Sequence, residues 1–141
     1  MVENTEQEIA EFLAGWPGEG EPLREWFVTF YKELAAMEGV SLSFVGRPGV
    51  SYSLRPRHRR QNERPLFAIV DVIDDDPQQR WLSVCFYGDM ISDPDGRGEV
   101  IPGGLAGSDG YCFDMAEDDP VFGEYLGARL QEAAAAAAAG G

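Results

Sequence analysis

PLREWFVTFYKELAAMEGVSLSFVGRPGVSYSLRP, residues 22–56, changes its hydrophobic period once, and that change decides the fold. In its first half Leu23, Trp26, Phe27, Phe30, Tyr31, Leu34 and Met37 recur at three- and four-residue spacing, the period of one helix face. Pro22 suits a first helical turn and Gly39 a C-terminal stop, so 22–38 reads as an amphipathic helix. Beyond Gly39 the period falls to two. Val40, Leu42 and Phe44 alternate with Ser41 and Ser43; Val50, Tyr52 and Leu54 alternate with Ser51 and Ser53. Gly46-Arg47-Pro48-Gly49 between the two runs carries turn chemistry, so 40–55 reads as a hairpin with one serine-lined face.

Before this stretch, 4–14 predicts a short helix. Thr5 and Glu8 have capping-box spacing, Ile9, Phe12 and Leu13 share a face, and Gly15 and Pro17 end it. After it, 66–73 and 81–87 read as strands joined by the acidic turn 74–79, and 111–115 as a third. Between them, 88–110 is dense in glycine and carries two prolines, which predicts irregular structure. Asp118 or Asp119 caps a last helix with Pro120 in its first turn and Val121, Phe122, Tyr125, Leu126 and Leu130 as its stripe. Sequential strands with short links favour an antiparallel meander whose one face must bury the helix stripes. The expected architecture is α+β: a two-layer sandwich, an antiparallel sheet of about five strands with two main helices on one face and serines and charges on the other. In the strand 66–73, either Leu66 and Ile69 or Phe67 and Val70 point inward, one residue of register apart. Trp26, Phe27, Phe30, Leu34, Val84, Phe86, Leu126 and Leu130 complete the expected core.

The 141 residues read as a single domain, 1–141, with a short helix and connector at 1–21 and a frayed Ala/Gly tail at 133–141. A net charge of -14 argues against nucleic acid or an anionic membrane as partner. No apolar run approaches the roughly 20 residues of a membrane span, and the acidic start MVENTEQEIAEF is unlike a signal peptide. Cys85 and Cys112 are too few for a disulfide framework and too distant for a CxxC clip. They read as two buried free thiols, slow to react, in a reducing cytoplasm.

Against that acidic background, Arg47, Arg55, Arg57, Arg59, Arg60 and Arg64 are six of eleven basic residues, with the only histidine, His58, among them. Arginine forks bind carboxylates and phosphates in bidentate fashion, so several together make an anion site. Arg55, Arg57 and Arg59 should share one side of an extended segment, with His58 and Arg60 on the other. The competing reading is that they balance the chain's own carboxylates.

Other motifs are incomplete. Asp93-Pro94-Asp95-Gly96-Arg97-Gly98 starts like a calcium loop, but Gly104 stands where the bidentate Glu is needed, so 93–100 reads as two polar turns. Gly103-Gly104-Leu105-Ala106-Gly107 lacks the Lys-Ser/Thr of a phosphate loop and reads as a flexible loop. The carboxylates at 74–76 and 117–119 read as solvated turn and helix-start residues. Cys112 and His58 could form a nucleophile and base only if the fold joined them. One histidine and two cysteines do not supply a zinc site. The expectation is therefore no catalytic residues, no metal and no cofactor.

The segments FYKELAAMEGV, VSYSLRP, WLSVCFYGDMISDPDGRGE and DGYCFDMAEDDPVFGEYLGARLQEA, spanning 22–132, resemble in element order small bacterial domain families of unknown function grouped with frataxin-like iron chaperones. The resemblance implies helices on one sheet face, and iron held on exposed helix carboxylates, here Glu25, Glu33 and Glu38. Two functions are thus expected in order: a cytoplasmic binding module receiving an anionic protein or small molecule at the arginines, or a metal-handling protein.

Overall fold

The computed structural model describes residues 2–16, 21–105 and 107–141, and the side chains of all these except 2–4. The elements run α1 (Val2–Ala14), α2 (Pro22–Ala36), β1 (Val40–Arg47), β2 (Ser51–His58), β3 (Ile69–Ile73), β4 (Trp81–Phe86), a 3-10 turn (Gly88–Met90), β5 (Glu99–Leu105), β6 (Ser108–Met115) and α3 (Pro120–Ala138). The six strands form one antiparallel sheet in the order β1-β2-β3-β4-β6-β5. The α+β sandwich is as expected, with one strand more.

The alternation in each strand sorts the sheet into two faces. Registers Phe44↔Leu54, Leu54↔Val70, Val70↔Val84 and Val84↔Phe113 align five apolar side chains in a row across five strands. Onto this face pack Phe27, Phe30 and Leu34 of α2 and Leu126 and Leu130 of α3, all fully buried. Helix α1 joins them through Phe12, stacked on Tyr52 at 4.3 Å and beside Phe44 at 5.5 Å. Helices α2 and α3 meet closely because Gly123 has no side chain: a Cβ there would lie 2.4 Å from the Trp26 ring.

Caps end the helices locally. The Glu21 carboxylate accepts from the amides of Leu23 and Arg24 at 3.2 and 3.0 Å, starting α2. Of the two candidate caps for α3, Asp119 takes the Phe122 amide at 3.1 Å, while Asp118 takes the indole N–H of Trp26 at 3.0 Å.

Several expectations are corrected. Helix α1 begins at Val2, so Thr5 lies inside it rather than at its cap. Trp26 is only half-buried, its polar edge satisfied by Asp118. The segment 88–110 is not irregular throughout: it holds β5, including Gly103 and Gly104. Breakers are tolerated there because β5 is an edge strand, where Pro102 removes no ladder bond that an inner strand would need, and a register shift between Ile101 and Leu105 absorbs the glycines. Val70 points to the helices and Ile69 to the other face, yet both are buried. The cysteines are not free thiols. Cys85 and Cys112 stand directly opposite one another on β4 and β6 and form a disulfide. Residues 27 apart in sequence became cross-strand neighbours, which spacing alone does not reveal.

Two carboxylates that looked solvated tie the fold internally. Asp74 is buried, pairs with Arg80 at 2.7 Å and accepts the Gly49 amide at 2.9 Å. Burial alone would raise its pKa; the amide and the guanidinium outweigh it and hold the carboxyl below the ordinary range. Arg80 itself lies 5.2–5.6 Å from the rings of Phe12, Trp16 and Tyr52. Asp93 takes four donors: the amides of Arg97 and Gly98 at 3.0 and 2.9 Å, the Tyr111 hydroxyl at 2.6 Å and the Tyr125 hydroxyl. Against the raising effect of burial, these donors hold its carboxyl far below the usual range. The loop that begins like a calcium site thus spends its first carboxylate on β6 and α3.

Two outcomes test this arrangement. Phe30→Ala should cost about 3–5 kcal/mol, read as a lower chemical-denaturation midpoint, because the side chain sits at the centre of the helix–sheet interface. An unchanged midpoint would overturn the packing. The cysteines of the folded, unreduced protein should resist alkylation. By the loop-entropy relation, reducing their 27-residue closure should lower stability by about 3–4 kcal/mol.

Candidate functional site: the open sheet face

No described helix covers the other sheet face; it is exposed along its β1–β2 flank at Ser41, Ser43, Val45, Arg47 and Arg57, whereas Ser51, Ser53, Ile69, Cys85 and Cys112 on it are buried. Its β1–β2 part follows from register: Ser41 stands opposite Arg57, Ser43 opposite Arg55, Val45 opposite Ser53 and Arg47 opposite Ser51. Each is offset by one residue from the helix-facing set, so all point to the other side. Asp71 of β3 lies opposite both Ser53 and Ser83, and the Cys85–Cys112 disulfide follows one row on.

Arginine and serine alternate on this surface. The Arg47 Nη2 donates to the Ser51 hydroxyl at 3.1 Å, and the Ser53 hydroxyl donates to Asp71 Oδ1. Arg57 is exposed and Arg55 half-buried, and among the described residues neither makes an ion pair. The Arg55 Nε is buried without a hydrogen-bond partner. Desolvation raises the pKa of the half-buried Asp71, with the Ser53 hydrogen bond and the charges of Arg55 and Arg47 pulling the other way.

The rest of the arginine window is divided among different places. β2 ends at His58, so Arg59 falls past the strand and does not continue the side of Arg55 and Arg57. His58 lies on the helix side, buried, its Nδ1 accepting the Arg60 amide at 3.1 Å. Its ring fills the space beside Gly39, where a Cβ would be 2.7 Å from Nε2. Arg59 pairs with Glu38 at 3.7 Å, both exposed. Arg60 is exposed, while Arg64 holds Asp89 with two bonds of 2.6 and 3.0 Å and lies 4.1 Å over the Tyr87 ring. Arg55 and Arg57 are thus neighbours on one face of β2, and Arg47 shares that face nearer the turn of the hairpin, two rows from Arg55 and three from Arg57; His58, Arg59, Arg60 and Arg64 lie elsewhere.

Catalytic and metal chemistry find little support in these positions. Cys112 is bonded to Cys85 and lies on the open face, whereas His58 is on the helix face, so the two cannot form a nucleophile and base. Among the described residues, no three His, Cys, Asp or Glu side chains converge as a metal would require. Of the helix carboxylates, Glu33 is half-buried with its pKa raised by desolvation, and Glu38 is the partner of Arg59. Comparison with protein-family models, curated proteins and solved structures finds no match to this chain.

Sequence reasoning missed two members of this face. Asp71 could have been flagged, since it is the single charge within the apolar run 66–73. The disulfide could not, because it depends on a register between β4 and β6.

Asp71→Asn should keep the Ser53 hydrogen bond, remove a negative charge beside Arg47 and Arg55, and tighten binding of a glutamate-rich peptide to the native protein. The pH dependence follows. Because its folded pKa is raised, Asp71 is neutralised at a higher pH than an ordinary aspartate as pH falls, so its own contribution against anion binding should be lost earlier, and the Asn variant should lack that contribution to the pH profile. Calorimetry at several pH values checks both; equal pH profiles for the two proteins would remove Asp71 from the site.

Proposed function

We propose that this protein is a non-catalytic binding module that receives carboxylates of a protein partner on the open face of its sheet. The observation that carries the reading is the adjacent pair Arg55 and Arg57 opposite the exposed Ser43 and Ser41, with Arg47 further along the same face and neither Arg55 nor Arg57 in an ion pair among the described residues. Guanidinium forks match carboxylate geometry, and serine hydroxyls supply donors that turn to suit a bound oxygen. The competing role, balancing the chain's own acids, fits Arg59, Arg64 and Arg80, which have carboxylate partners, and in part Arg55, whose charge acts on Asp71 without an ion pair; it does not fit Arg57.

As to setting, no helix among the described residues is long and apolar enough to cross a membrane. A cytoplasmic location rested on two free thiols, and the Cys85–Cys112 bond removes that support, since such bonds persist mainly in oxidising compartments.

The test is Arg55→Glu with Arg57→Glu, titrated with a polyglutamate peptide by calorimetry. The double reversal should weaken binding by at least about tenfold, the loss of two charge-assisted contacts, while the melting temperature changes little. For the native protein, affinity should fall as salt is raised above physiological strength. A double variant that binds as well as the native protein, or that merely unfolds, would return these arginines to an internal role.

A further inference from the structure

The sheet has two edges, and they are treated differently. On β5, Pro102 and the register shift between Ile101 and Leu105 blunt the outer side against pairing. β1 has neither device. From Val40 to Gly46 it carries no proline, no charge and no bulge, and it keeps an unbroken eight-residue register with β2.

The free side of β1 presents usable backbone groups. Bonds in an antiparallel pair alternate, so every second residue turns its N–H and C=O away from its neighbour. The Arg59 amide donates to the Gly39 carbonyl at 2.9 Å, which sets odd-numbered residues of β1 toward β2. Leu42, Phe44 and Gly46 therefore face away, and among the described residues no hydrogen bond reaches their outer backbone groups. Beside the start of the strand is a groove of about 130 Å³ whose apolar wall is Tyr31, Ala35, Val40 and Leu42 and whose rim carries Thr5, Glu6 and Ser41.

We infer that β1 accepts an extended segment of a partner protein as a seventh strand, and that the segment alternates acidic with apolar residues. This deepens the reading under Proposed function and rests on it for the charge of the partner. The geometry sets the alternation. An added strand's side chains fall alternately on the two sheet faces. One set lies beside Leu42 and Phe44 and over the apolar wall of the groove, Tyr31, Ala35 and Val40. The other lies beside Ser41, Ser43 and Arg47, with Arg55 and Arg57 one strand further in, where carboxylates complement the exposed guanidinium groups. Main-chain bonds supply affinity that is indifferent to sequence, and the two faces supply the selection.

An octapeptide alternating valine and glutamate, titrated into isotope-labelled native protein, tests this. Amide shifts should concentrate on Val40–Arg47, with Leu42 and Phe44 among the largest. N-methylating alternate peptide amides should weaken binding by about tenfold or more in one phase and much less in the other, since only one phase donates to β1. A valine–lysine octapeptide should bind at least about tenfold more weakly. Equal tolerance of both N-methylated phases would overturn strand addition, as would shifts at Arg55 and Arg57 without any at Leu42 and Phe44. Both of those results would still leave anion binding by the arginines intact. Equal binding of the valine–lysine peptide would overturn the acidic alternation. Failure of the arginine reading appears separately, as indifference of polyglutamate binding to the Arg55→Glu, Arg57→Glu reversal.

Discussion

Burial of one sheet face against three helices fixes where every polar group of this protein can go. The row Phe44, Leu54, Val70, Val84 and Phe113 is held under α2 and α3, and a strand has only two faces. Whatever alternates with that row is forced to the opposite side. Arg55, Ser53 and Asp71 share a surface not because they attract one another but because their neighbours in sequence are buried. A slip of one residue in β2 would carry Arg55 and Arg57 under the helices and expose Leu54, at a cost of several kcal/mol for each buried charge and each exposed aliphatic. That surface is therefore as well defined in register as the core itself.

Ionic groups inside this frame serve attachment rather than chemistry. Asp74 and Arg80 join the end of β3 to the turn of the hairpin, and the guanidinium lies amid the rings of α1 and β2. Taking that pair out of water has a large cost, and the Gly49 amide and the aromatic rings offset part of it. Asp93 does the same for the long loop before β5, binding it to Tyr111 of β6 and Tyr125 of α3. In both places a carboxylate collects donors from segments distant in sequence, which holds turns that glycine and proline would otherwise leave mobile. Arg57 differs from Arg80 in having no such internal acid among the described residues, and Arg55 has only the nearby charge of Asp71, with no ion pair.

Legibility in the sequence followed the range of the interaction. Elements whose signal is local were readable: the period change at Gly39 gave α2 and the β1–β2 hairpin, and Asp119 with Pro120 gave the start of α3. β5 was hidden because an edge strand tolerates the proline and glycines that argue against an inner one. The roles of Asp74 and Asp93 were hidden for a different reason, since an acid in a turn looks the same whether water or a distant tyrosine is its partner. The disulfide and Asp71's place on the open face needed the pairing of β3, β4 and β6, which no local pattern encodes. Of the arginine window, alternation placed Arg55 and Arg57 together, and only the strand's end at His58 separated Arg59 from them.

In the proposed role, a chain of net charge -14 would act on an acidic partner at two length scales. At long range the whole molecule repels an acidic partner, and at contact the guanidinium groups attract it. Salt separates the two effects, because screening acts within about 8 Å at physiological strength and reaches about 30 Å only in dilute salt. In dilute salt the full negative charge is felt and slows the approach. At physiological strength that repulsion is largely screened, while the contacts at Arg55 and Arg57, only a few ångströms long, retain most of their strength. In that role the acidic remainder of the surface would discourage long polyanions such as nucleic acids, while a short acidic peptide stays within reach of the arginines. Selection by a single strand edge and a small basic patch would follow from that short reach.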